Sequence, residues 1–385
     1  MSMHPHTPDY TRRIKNVQAA MAQANIDLLI LNYSANLTYL TVIPYPRANP
    51  TGSAMPSDWL RAAVLTRESG PVLVTNGEIS EFETPAATRP WIADVQGYDT
   101  VRDPSETAKA MLSQFGSPAQ VAISEPTWAL ATLAFQSALP QAVFTLAEPL
   151  LSPLRAAKDK YELEYLKIAA AMIDQVFDAA LKMMKLGVTI QDITDELNSQ
   201  MIRIGASGNS FPPAVIFNGP GFEGRGGPNK FVPLQPGCMV AFDIGLVYKG
   251  YCSDFGRSVI VGEPRPEFLR HYQMLREGRE AAVARVKPGV PAREVHQEIH
   301  RVFASYGWEK EGREDFGHNI GLDLHEPPYI SAWDSRPLLE GMALTIEPRA
   351  YRNGIVGGRI EDMIQVTADG AEPLTKFSLE PLLIP

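Results

Sequence analysis

The stretch Ala241-Phe-Asp-Ile-Gly-Leu-Val-Tyr-Lys-Gly-Tyr-Cys-Ser-Asp254 contains two strand-like runs on either side of a turn signal, Tyr248-Lys249-Gly250. This pattern is typical of a β-hairpin. Folding the hairpin about that turn would place Asp243 roughly opposite Asp254. Like charges that face each other across strands destabilise a sheet by up to about 1 kcal/mol. We therefore expect a positive group between these two carboxylates.

A second hairpin is predicted near the end of the chain, where two short strands flank the turn signal Asn353-Gly354. Its two glutamates, Glu347 and Glu361, should also face each other. With one imidazole they complete a set of four carboxylates and one histidine: Asp243, Asp254, His318, Glu347 and Glu361. Such a set suits a pair of divalent cations that share bridging carboxylates, because four negative charges balance two dications.

The same five residues resemble the metal ligands of the pita-bread metallopeptidases, which include prolidase, aminopeptidase P and methionine aminopeptidase. They match in order and in their surroundings, which read Asp-Ile-Gly, Cys-Ser-Asp, Gly-His-Asn-Ile-Gly, Glu-Pro and Arg-Ile-Glu-Asp. The resemblance is strong over residues 158–385 and weak before them. It implies a pita-bread catalytic domain, a creatinase-like domain in front of it, and a homodimer. An oxygen-rich site with one imidazole favours Mn²⁺, Co²⁺ or Fe²⁺, with Zn²⁺ as a further option.

Length and hydrophobic pattern favour two domains, since 385 residues are long for one. Residues 1–150 are predicted to form an α/β domain, because Asp27-Leu-Leu-Ile-Leu-Asn32 is an apolar run of the length of a buried parallel strand. The resemblance implies that this domain is the creatinase-like one. Further strands are predicted at 62–66, 71–75 and 121–124. A linker then leads to an α+β pita-bread domain over residues 158–385.

An internal repeat is visible in this second domain. The segment Gly187–Leu197 aligns without gaps with Gly289–Ile299. Each copy follows a long amphipathic helix pattern and precedes strands that carry candidate ligands. The repeat predicts two pseudo-symmetric halves with the metal site at their seam, as the resemblance also implies.

Composition limits the partners of the protein. A formal net charge of −9 argues against nucleic acid and anionic membranes, which would repel the chain. No apolar run approaches the roughly 18 residues of a membrane span, and the first twelve residues are too polar for a signal peptide. The two cysteines, Cys238 and Cys252, are predicted to be buried and unpaired. We therefore expect a cytoplasmic enzyme with a dipeptide or another small molecule as its substrate.

Two residues have catalytic roles by resemblance. Glu347 would act as general base toward a water that bridges the metals, and His325, in Leu324-His-Glu-Pro-Pro328, would contact the substrate. Arg359 and Asp362 flank Glu361 and are candidates to orient it, with ordinary ion pairing as an equal alternative.

Other segments admit two interpretations each. The proline-rich residues 42–59 form either a surface loop or a loop that reaches over an active site, which makes Arg47, Trp59 and Arg61 candidate substrate contacts. His296 and His300 have the spacing of a zinc helix, but the glutamate between them is misplaced for that motif, and we expect a solvated helix face.

The chain departs from the proline-specific members of the family at two positions. Those peptidases place histidines where this chain has Asn229 and Glu314. The first hypothesis is a dinuclear-metal hydrolase, like Xaa-Pro dipeptidases and aminopeptidases, that cleaves a C–N bond with a metal-bridging hydroxide. The alternative is a non-peptidase member, either a lyase like the one acting on dimethylsulfoniopropionate or a small-metabolite hydrolase like ectoine hydrolase. The third hypothesis is a non-catalytic binding module.

Overall fold

The structure, a computed structural model, describes residues 8–43, 57–76, 89–99, 101–219, 222, 230–310 and 314–385. This part of the chain separates into two compact units, of which the first ends at Arg155 and the second begins at Ala156. The predicted limits of 150 and 158 lie on either side of this point and remain a prediction about independent domains. None of the described helices is long and apolar enough to cross a membrane.

Where the structure describes it, the first unit is built on a six-stranded sheet. Its strands are β1 (Leu28–Asn32), β2 (Ala62–Thr66), β3 (Val72–Asn76), β4 (Asp94–Tyr98), β5 (Gln120–Ile123) and β6 (Val143–Leu146). They lie in the order β4-β3-β2-β1-β5-β6, in which β2 is antiparallel to both of its neighbours and the other pairs are parallel. All of β1 is buried, because it lies between β2 and β5 with helices packed on the sheet. The predicted α/β class is confirmed.

Among the described residues, five helices accompany this sheet: α1 (Tyr10–Gln23), α2 (Ala35–Thr41), α3 (Pro104–Leu112), α4 (Ala129–Ala138) and α5 (Glu148–Ala156). Two of them begin at an aspartate whose side chain accepts backbone N–H groups. Asp9 caps α1 through the amide of Arg12, and Asp103 caps α3 through the amide of Ser105. Short 3-10 turns lie at Asp58–Leu60 and Ser113–Phe115.

The second unit contains two larger and two smaller sheets among the described residues. The first larger sheet has the order β20-β12-β9-β8, formed by β8 (Ala214–Asn218), β9 (Cys238–Ile244), β12 (Phe255–Val261) and β20 (Leu382–Ile384). The second has the order β14-β13-β15-β18-β19, formed by β13 (Asp315–Asn319), β14 (Glu326–Ser331), β15 (Ala343–Ile346), β18 (Asp362–Val366) and β19 (Ala371–Pro373). The smaller sheets consist of β7 (Gly208–Asn209), β10 (Leu246–Tyr248) and β11 (Tyr251–Cys252), and of β16 (Arg349–Arg352) and β17 (Val356–Arg359).

Each larger sheet packs against its own helix pair, as the internal repeat predicts. The pairs are α6 (Lys160–Met183) with α7 (Ile190–Arg203), and α8 (Pro266–Arg285) with α9 (Ala292–Ser305). The turn before the second helix of each pair repeats in detail. Gly187 N donates to Leu234 O at 3.0 Å, and Gly289 N donates to Leu338 O at 2.8 Å. Both glycines have positive φ, 91° and 85°. The predicted pseudo-two-fold pita-bread fold is confirmed.

The first hairpin forms, but its register differs from the prediction. Lys249 and Gly250 form a two-residue turn with φ of 50° and 88°, the positive values that a type I′ turn requires. Because this turn is centred between the two residues, Asp243 pairs with Gly256 instead of lying opposite Asp254. Asp254 lies between β11 and β12. The two aspartates are thus offset by two residues.

The expectation that His296 lies on a solvated helix face is wrong. Its side chain is buried, with 5% of the residue exposed, and its ring stacks on Phe316 with 5.1 Å between the centroids. His296 lies on the face of α9 that packs on the second larger sheet, since Ala292 and Ile299 are buried beside it at helical spacing. His300 alone is exposed, as expected of a solvated face. Cys238 and Cys252 are buried and neither forms a disulfide bond, as predicted.

The second unit also carries a pH-sensitive carboxyl group at Asp174 of α6. Its Oδ2 accepts a hydrogen bond from the Lys376 amide at 2.7 Å, whereas its buried Oδ1 has no hydrogen-bond partner among the described residues. Burial raises the pKa of Asp174 from 3.8 to about 6, although that hydrogen bond opposes the change. The folded state therefore binds this proton more tightly than the unfolded chain does. The stabilisation that this bound proton gives to the folded state is present below pH 3.8 and is lost as the pH rises through 6.

We expect Asp174→Asn to stabilise the protein increasingly as the pH rises from 4.5 to 7.5, by about 1 kcal/mol at the upper end after allowance for solvent screening. Urea unfolding of both proteins across this range would measure the difference. Asp178→Asn is the matched control, because Asp178 is exposed on the same helix and pairs with Lys182. If the difference in unfolding free energy between Asp174→Asn and the natural protein did not change with pH, it would contradict the raised pKa of Asp174.

Candidate metal centre

Three of the candidate ligands meet where the two larger sheets join. Asp243 lies near the end of β9, Asp254 precedes β12, and Glu361 precedes β18. Glu361 is fixed against β12, since its N–H donates to Gly256 O at 2.8 Å and its carbonyl accepts the Gly256 N–H at 3.3 Å. Ligand oxygens of the three carboxylates lie within 4.8 Å of one another. These two backbone hydrogen bonds link the two halves of the unit, so the three carboxylates lie where the halves meet.

His318 and Glu347 complete the group from the second half. His318 Nε2 lies 3.5 Å from Asp254 Oδ2 and 3.8 Å from Glu347 Oε1. The strand register on both sides of the second hairpin, Ile346 with Asp362 and Arg349 with Arg359, sets Glu347 across from Glu361. The structure thus brings together all five residues predicted to bind metal.

The donor atoms of this cluster fit a cation. Asp254, His318, Glu347 and Glu361 are buried, and Glu361 is 0% exposed. Asp254 Oδ1, His318 Nε2 and Glu361 Oε1 have no hydrogen-bond partner among the described residues. Leaving buried charged groups without partners costs several kcal/mol. Divalent cations would satisfy these atoms, and the excess of oxygen over nitrogen donors suits Mn²⁺, Fe²⁺ or Co²⁺.

Arg359 places a positive charge among the carboxylates of the cluster. Its Nη1 bonds both Asp243 and Glu361 Oε2, the latter at 2.7 Å, and its Nη2 lies 3.5 Å from Glu347 Oε2. Gly256 makes this possible, because a Cβ there would lie 2.4 Å from the Arg359 Cδ. Burial disfavours the guanidinium charge, but Glu361 and Asp243 outweigh it and hold the pKa of Arg359 well above its usual value.

Arg349 is a second arginine at the cluster, which the sequence analysis missed. Its Nη1 donates to Glu347 Oε2 at 2.5 Å and its Nη2 donates to Asp315 Oδ2 at 2.5 Å. A signal for it was available, because residues two apart along a strand point to the same side. Arg349 stands two residues after Glu347, as Arg359 stands two residues before Glu361.

Protonation differs across the cluster. Burial raises the pKa of Asp254 and Glu361 well above their usual values, and the neighbouring carboxylates add to the effect. Burial also acts to raise the pKa of Glu347, but Arg349 and Arg359 outweigh it, so this pKa is lowered. Burial lowers the pKa of His318, which is therefore neutral at pH 7 and has a lone pair for a cation.

The other predicted residues lie around this cluster or apart from it. His325 is exposed, and its ring packs edge-on against His318 with 4.3 Å between centroids, so it borders the cluster on the solvent side. Glu314 is exposed just before β13. Arg47 and Asn229 lie outside the described residues. Arg61 donates to the Tyr33 hydroxyl at 2.8 Å and Trp59 packs on Trp128, both inside the first unit.

A buried ion pair also holds the backbone of Glu361. Arg257 donates to Glu361 O at 2.7 Å and to Asp362 Oδ1 at 2.6 Å. Asp362 is further bonded by Arg279 at 2.8 Å and by the Thr375 hydroxyl at 2.8 Å. Asp362 therefore orients the Glu361 backbone through Arg257, whereas Arg359 contacts the Glu361 carboxylate directly.

Lys158 is a further residue that the sequence analysis did not identify. Its buried Nζ donates to Asn319 Oδ1 at 2.7 Å and to Glu326 Oε2 at 3.0 Å. These two partners are the residues that follow His318 and His325. Lys158 thus connects the two histidine-bearing segments.

Comparison with known proteins shows which families and structures this chain is similar to. The profile described as Metallopeptidase family M24 matches residues 164–368, and the profile of the Creatinase/Prolidase N-terminal domain matches residues 13–157. A probable dipeptidase PepE of Mycobacterium bovis is 31% identical over 386 residues, which cover 98% of this chain and 97% of that protein. The crystal structure of dipeptidase PepE from Mycobacterium ulcerans matches with a TM-score of 0.82 at 31% identity, over 98% of each chain. A recombinant prolidase from Thermococcus sibiricus matches with a TM-score of 0.87 at 26% identity, over 98% of this chain and 100% of the prolidase.

Proposed function

Because this chain belongs to metallopeptidase family M24, we propose that it is a metal-dependent hydrolase that cleaves the C–N bond of a dipeptide, with Xaa-Pro dipeptides as the first candidates. The observation that carries this proposal is the convergence of Asp243, Asp254, His318, Glu347 and Glu361, in which three buried ligand atoms have no hydrogen-bond partner within the described part of the chain. Relatives named dipeptidase and prolidase support a peptide substrate over the lyase and small-metabolite alternatives.

The five residues would hold two divalent cations, with Mn²⁺, Co²⁺ or Fe²⁺ preferred and Zn²⁺ as a further option. Bound there, such cations polarise a carbonyl oxygen and make water a nucleophile near neutral pH. The charge of the cluster supports two ions, since it holds four ligand carboxylates, three of which share Arg359 as a cationic partner. A homodimer and a cytoplasmic location are also proposed; the first rests on the family resemblance and the second on the sequence and on two cysteines that form no disulfide bond.

The chain's own residues have distinct roles in this proposal. Glu347 is a carboxylate at neutral pH, because its pKa is lowered by Arg349 and Arg359 against the effect of burial. Its Oε1, which Arg349 does not contact, is the atom that would accept a proton from the attacking water. His325 lies on the exposed side of the cluster, where it would bind the substrate and place its carbonyl near His318.

Metal removal and restoration test the proposal directly. Purified protein is stripped with EDTA, dialysed, and assayed on Xaa-Pro dipeptides, on other dipeptides and on non-peptide amides, with Mn²⁺, Co²⁺, Fe²⁺ or Zn²⁺ restored one at a time. We expect stripping to lower dipeptide hydrolysis by about 1,000-fold, or roughly 4 kcal/mol of transition-state stabilisation. Restoring the preferred ion should return the activity, with release of free proline from Xaa-Pro substrates.

Two further results would each remove a part of the proposal. If the restored protein binds metal but cleaves none of the peptides, the peptidase function is wrong and the non-peptidase alternative takes its place. Product formed in ¹⁸O-labelled water then separates the two alternative chemistries, because hydrolysis puts the label into a carboxylate and elimination does not. Activity that survives stripping, with no metal found in the protein, would overturn metal dependence itself.

A further inference from the structure

The two faces of strand β14 have different surroundings. Ile330 is fully buried in the core that packs on α8 and α9. Its neighbour Tyr329 points to the opposite face of the sheet, because side chains alternate along a strand, and it is half-buried there. The strand register pairs Tyr329 with His318 of β13, and directly opposed residues of an antiparallel pair share one face. Tyr329 therefore lies on the face of the sheet that carries the candidate metal centre.

An exposed tryptophan extends this face beyond the end of β14. Trp333 is 62% exposed, and its ring packs on that of Tyr329 with 5.6 Å between the centroids and 43° between the planes. Buried Asp334 fixes the turn that carries Trp333, since its carboxylate accepts the Tyr329 N–H at 2.8 Å and the Arg336 N–H at 3.0 Å. Tyr329 and Trp333, the aromatic pair, thus form a fixed apolar surface that solvent reaches.

The aromatic pair continues a row of side chains that begins at His325. His325 immediately precedes β14, is exposed, and packs its ring on His318 with 4.3 Å between the centroids. Tyr329 is opposite the same His318 in the register, so both ends of the row lie beside one ligand. Tyrosine and tryptophan carry much of the binding energy in protein interfaces, because each covers a large apolar area. An aromatic pair in this place is typical of a binding surface.

The chemistry of this surface favours an aromatic ligand. Two rings that are tilted against each other offer a face and an edge, and a third ring packs well on both in offset or edge-to-face contact. The charged neighbours add no net charge, since Arg336 donates from Nε and Nη2 to the Asp334 carboxylate. A charged side chain of a ligand would therefore lose water on the aromatic pair and gain no ionic partner from these two residues.

We propose that the aromatic pair is a side-chain subsite of the candidate metal centre and that it selects dipeptides in which one residue carries an aromatic ring. This inference rests on the proposed function, in which a dipeptide is cleaved at the centre, and it narrows the substrate class within that function. Trp333 would touch the substrate side chain and none of the reacting atoms. It is therefore a specificity residue, and its loss should act on KM more than on kcat.

Steady-state kinetics on matched dipeptides test the proposal, with the full chain loaded with the ion that restores its activity. Phe-Pro with Ala-Pro, and Ala-Phe with Ala-Ala, are pairs whose members differ by one phenyl ring. We expect the kcat/KM of the natural protein to favour the phenyl member of at least one pair by about tenfold or more. Trp333→Ala should remove most of that preference through KM, while the alanine member changes by less than about threefold.

Two further variants separate ring contact from a merely structural role. Trp333→Phe keeps a ring and should retain the preference within about threefold. Leu339→Ala is the matched control, because it removes another exposed apolar side chain from the connection between β14 and β15, before β15, whereas Glu347 follows that strand. It should leave both pairs unchanged. Tryptophan fluorescence during titration with free phenylalanine gives a readout without turnover: the emission should change in the natural protein and in Leu339→Ala but not in Trp333→Phe.

The outcomes distinguish this inference from the proposed function. If the natural protein cleaves dipeptides with no phenyl preference, or if Trp333→Ala keeps the preference or slows both members of a pair equally, the aromatic subsite is overturned while dipeptide hydrolysis stands. If the metal-loaded natural protein cleaves none of the four dipeptides, the proposed function fails, and the subsite fails with it because its ligand is a dipeptide substrate.

Discussion

Glu361→Gln is expected to lower kcat/KM for dipeptide hydrolysis by at least about 1,000-fold, roughly 4 kcal/mol of transition-state stabilisation. Glu361 is fully buried, and its Oε1 has no hydrogen-bond partner among the described residues. Glutamine keeps the shape of the side chain but removes the negative charge on which cation binding depends. It also turns a donor toward Arg359 if its amide nitrogen takes the place of Oε2. Dipeptide hydrolysis and metal content per chain measure the effect.

The same substitution should not destabilise the metal-free protein. Burial and the neighbouring Asp254 raise the pKa of Glu361 well above its usual value, so the neutral amide costs less to bury than the carboxylate does. We expect the unfolding midpoint of the stripped variant to match or exceed that of the stripped natural protein, which is the usual trade between stability and activity at such sites. Glu372→Gln, on the exposed side of β19, is the control and should change neither quantity. A Glu361→Gln protein that keeps a tenth of the activity would show that Glu361 is not required to bind metal.

The approach of the four carboxylates to one another could be predicted from the sequence because each pair flanks a local turn signal. Asn353-Gly354 marks the turn that sets Glu347 across from Glu361, and Tyr248-Lys249-Gly250 marks the turn between the aspartates. The error of two residues at Asp243 comes from the length of that turn, which a sequence pattern indicates only approximately. Local chemistry thus predicts which strands pair more reliably than it predicts the register.

The side chains that support the ligands were harder to predict, because they depend on contacts that are distant in sequence. Lys158 bonds to Glu326 across 168 positions, and Arg349 bonds to Asp315 across 34 positions. Nothing near Lys158 in the sequence indicates this partner. His296 is different, since its spacing from Ala292 and Ile299 puts it on the apolar stripe of α9. The helical pattern contained that information, and the polarity of histidine led to the wrong expectation.

Gly317→Ala is expected to destabilise the protein by about 3 kcal/mol or more and to disturb the metal centre at the same time. Gly317 has φ +142°, and an added Cβ would lie 2.1 Å from Thr345 O and 2.9 Å from Thr345 C. These are backbone atoms of β15, so no side-chain rotation relieves the clash. Thr345 cannot easily move, because it pairs with Met363 in the sheet and its hydroxyl accepts the His318 N–H at 3.0 Å. Urea unfolding and metal content measure the two effects.

Gly370→Ala provides the matched control for this clash. Its added Cβ would meet only Val286 O, at the ordinary contact distance of 3.8 Å, and we expect a change below about 1 kcal/mol. The comparison separates the geometry of position 317 from the general effect of placing alanine at a glycine. Because His318 follows Gly317 directly, relief of the clash has to move β13, and with it the imidazole, away from Asp254 and Glu347. A Gly317→Ala protein with unchanged stability and full metal content would mean that β13 and β15 can separate without cost, which the pairing around Thr345 contradicts.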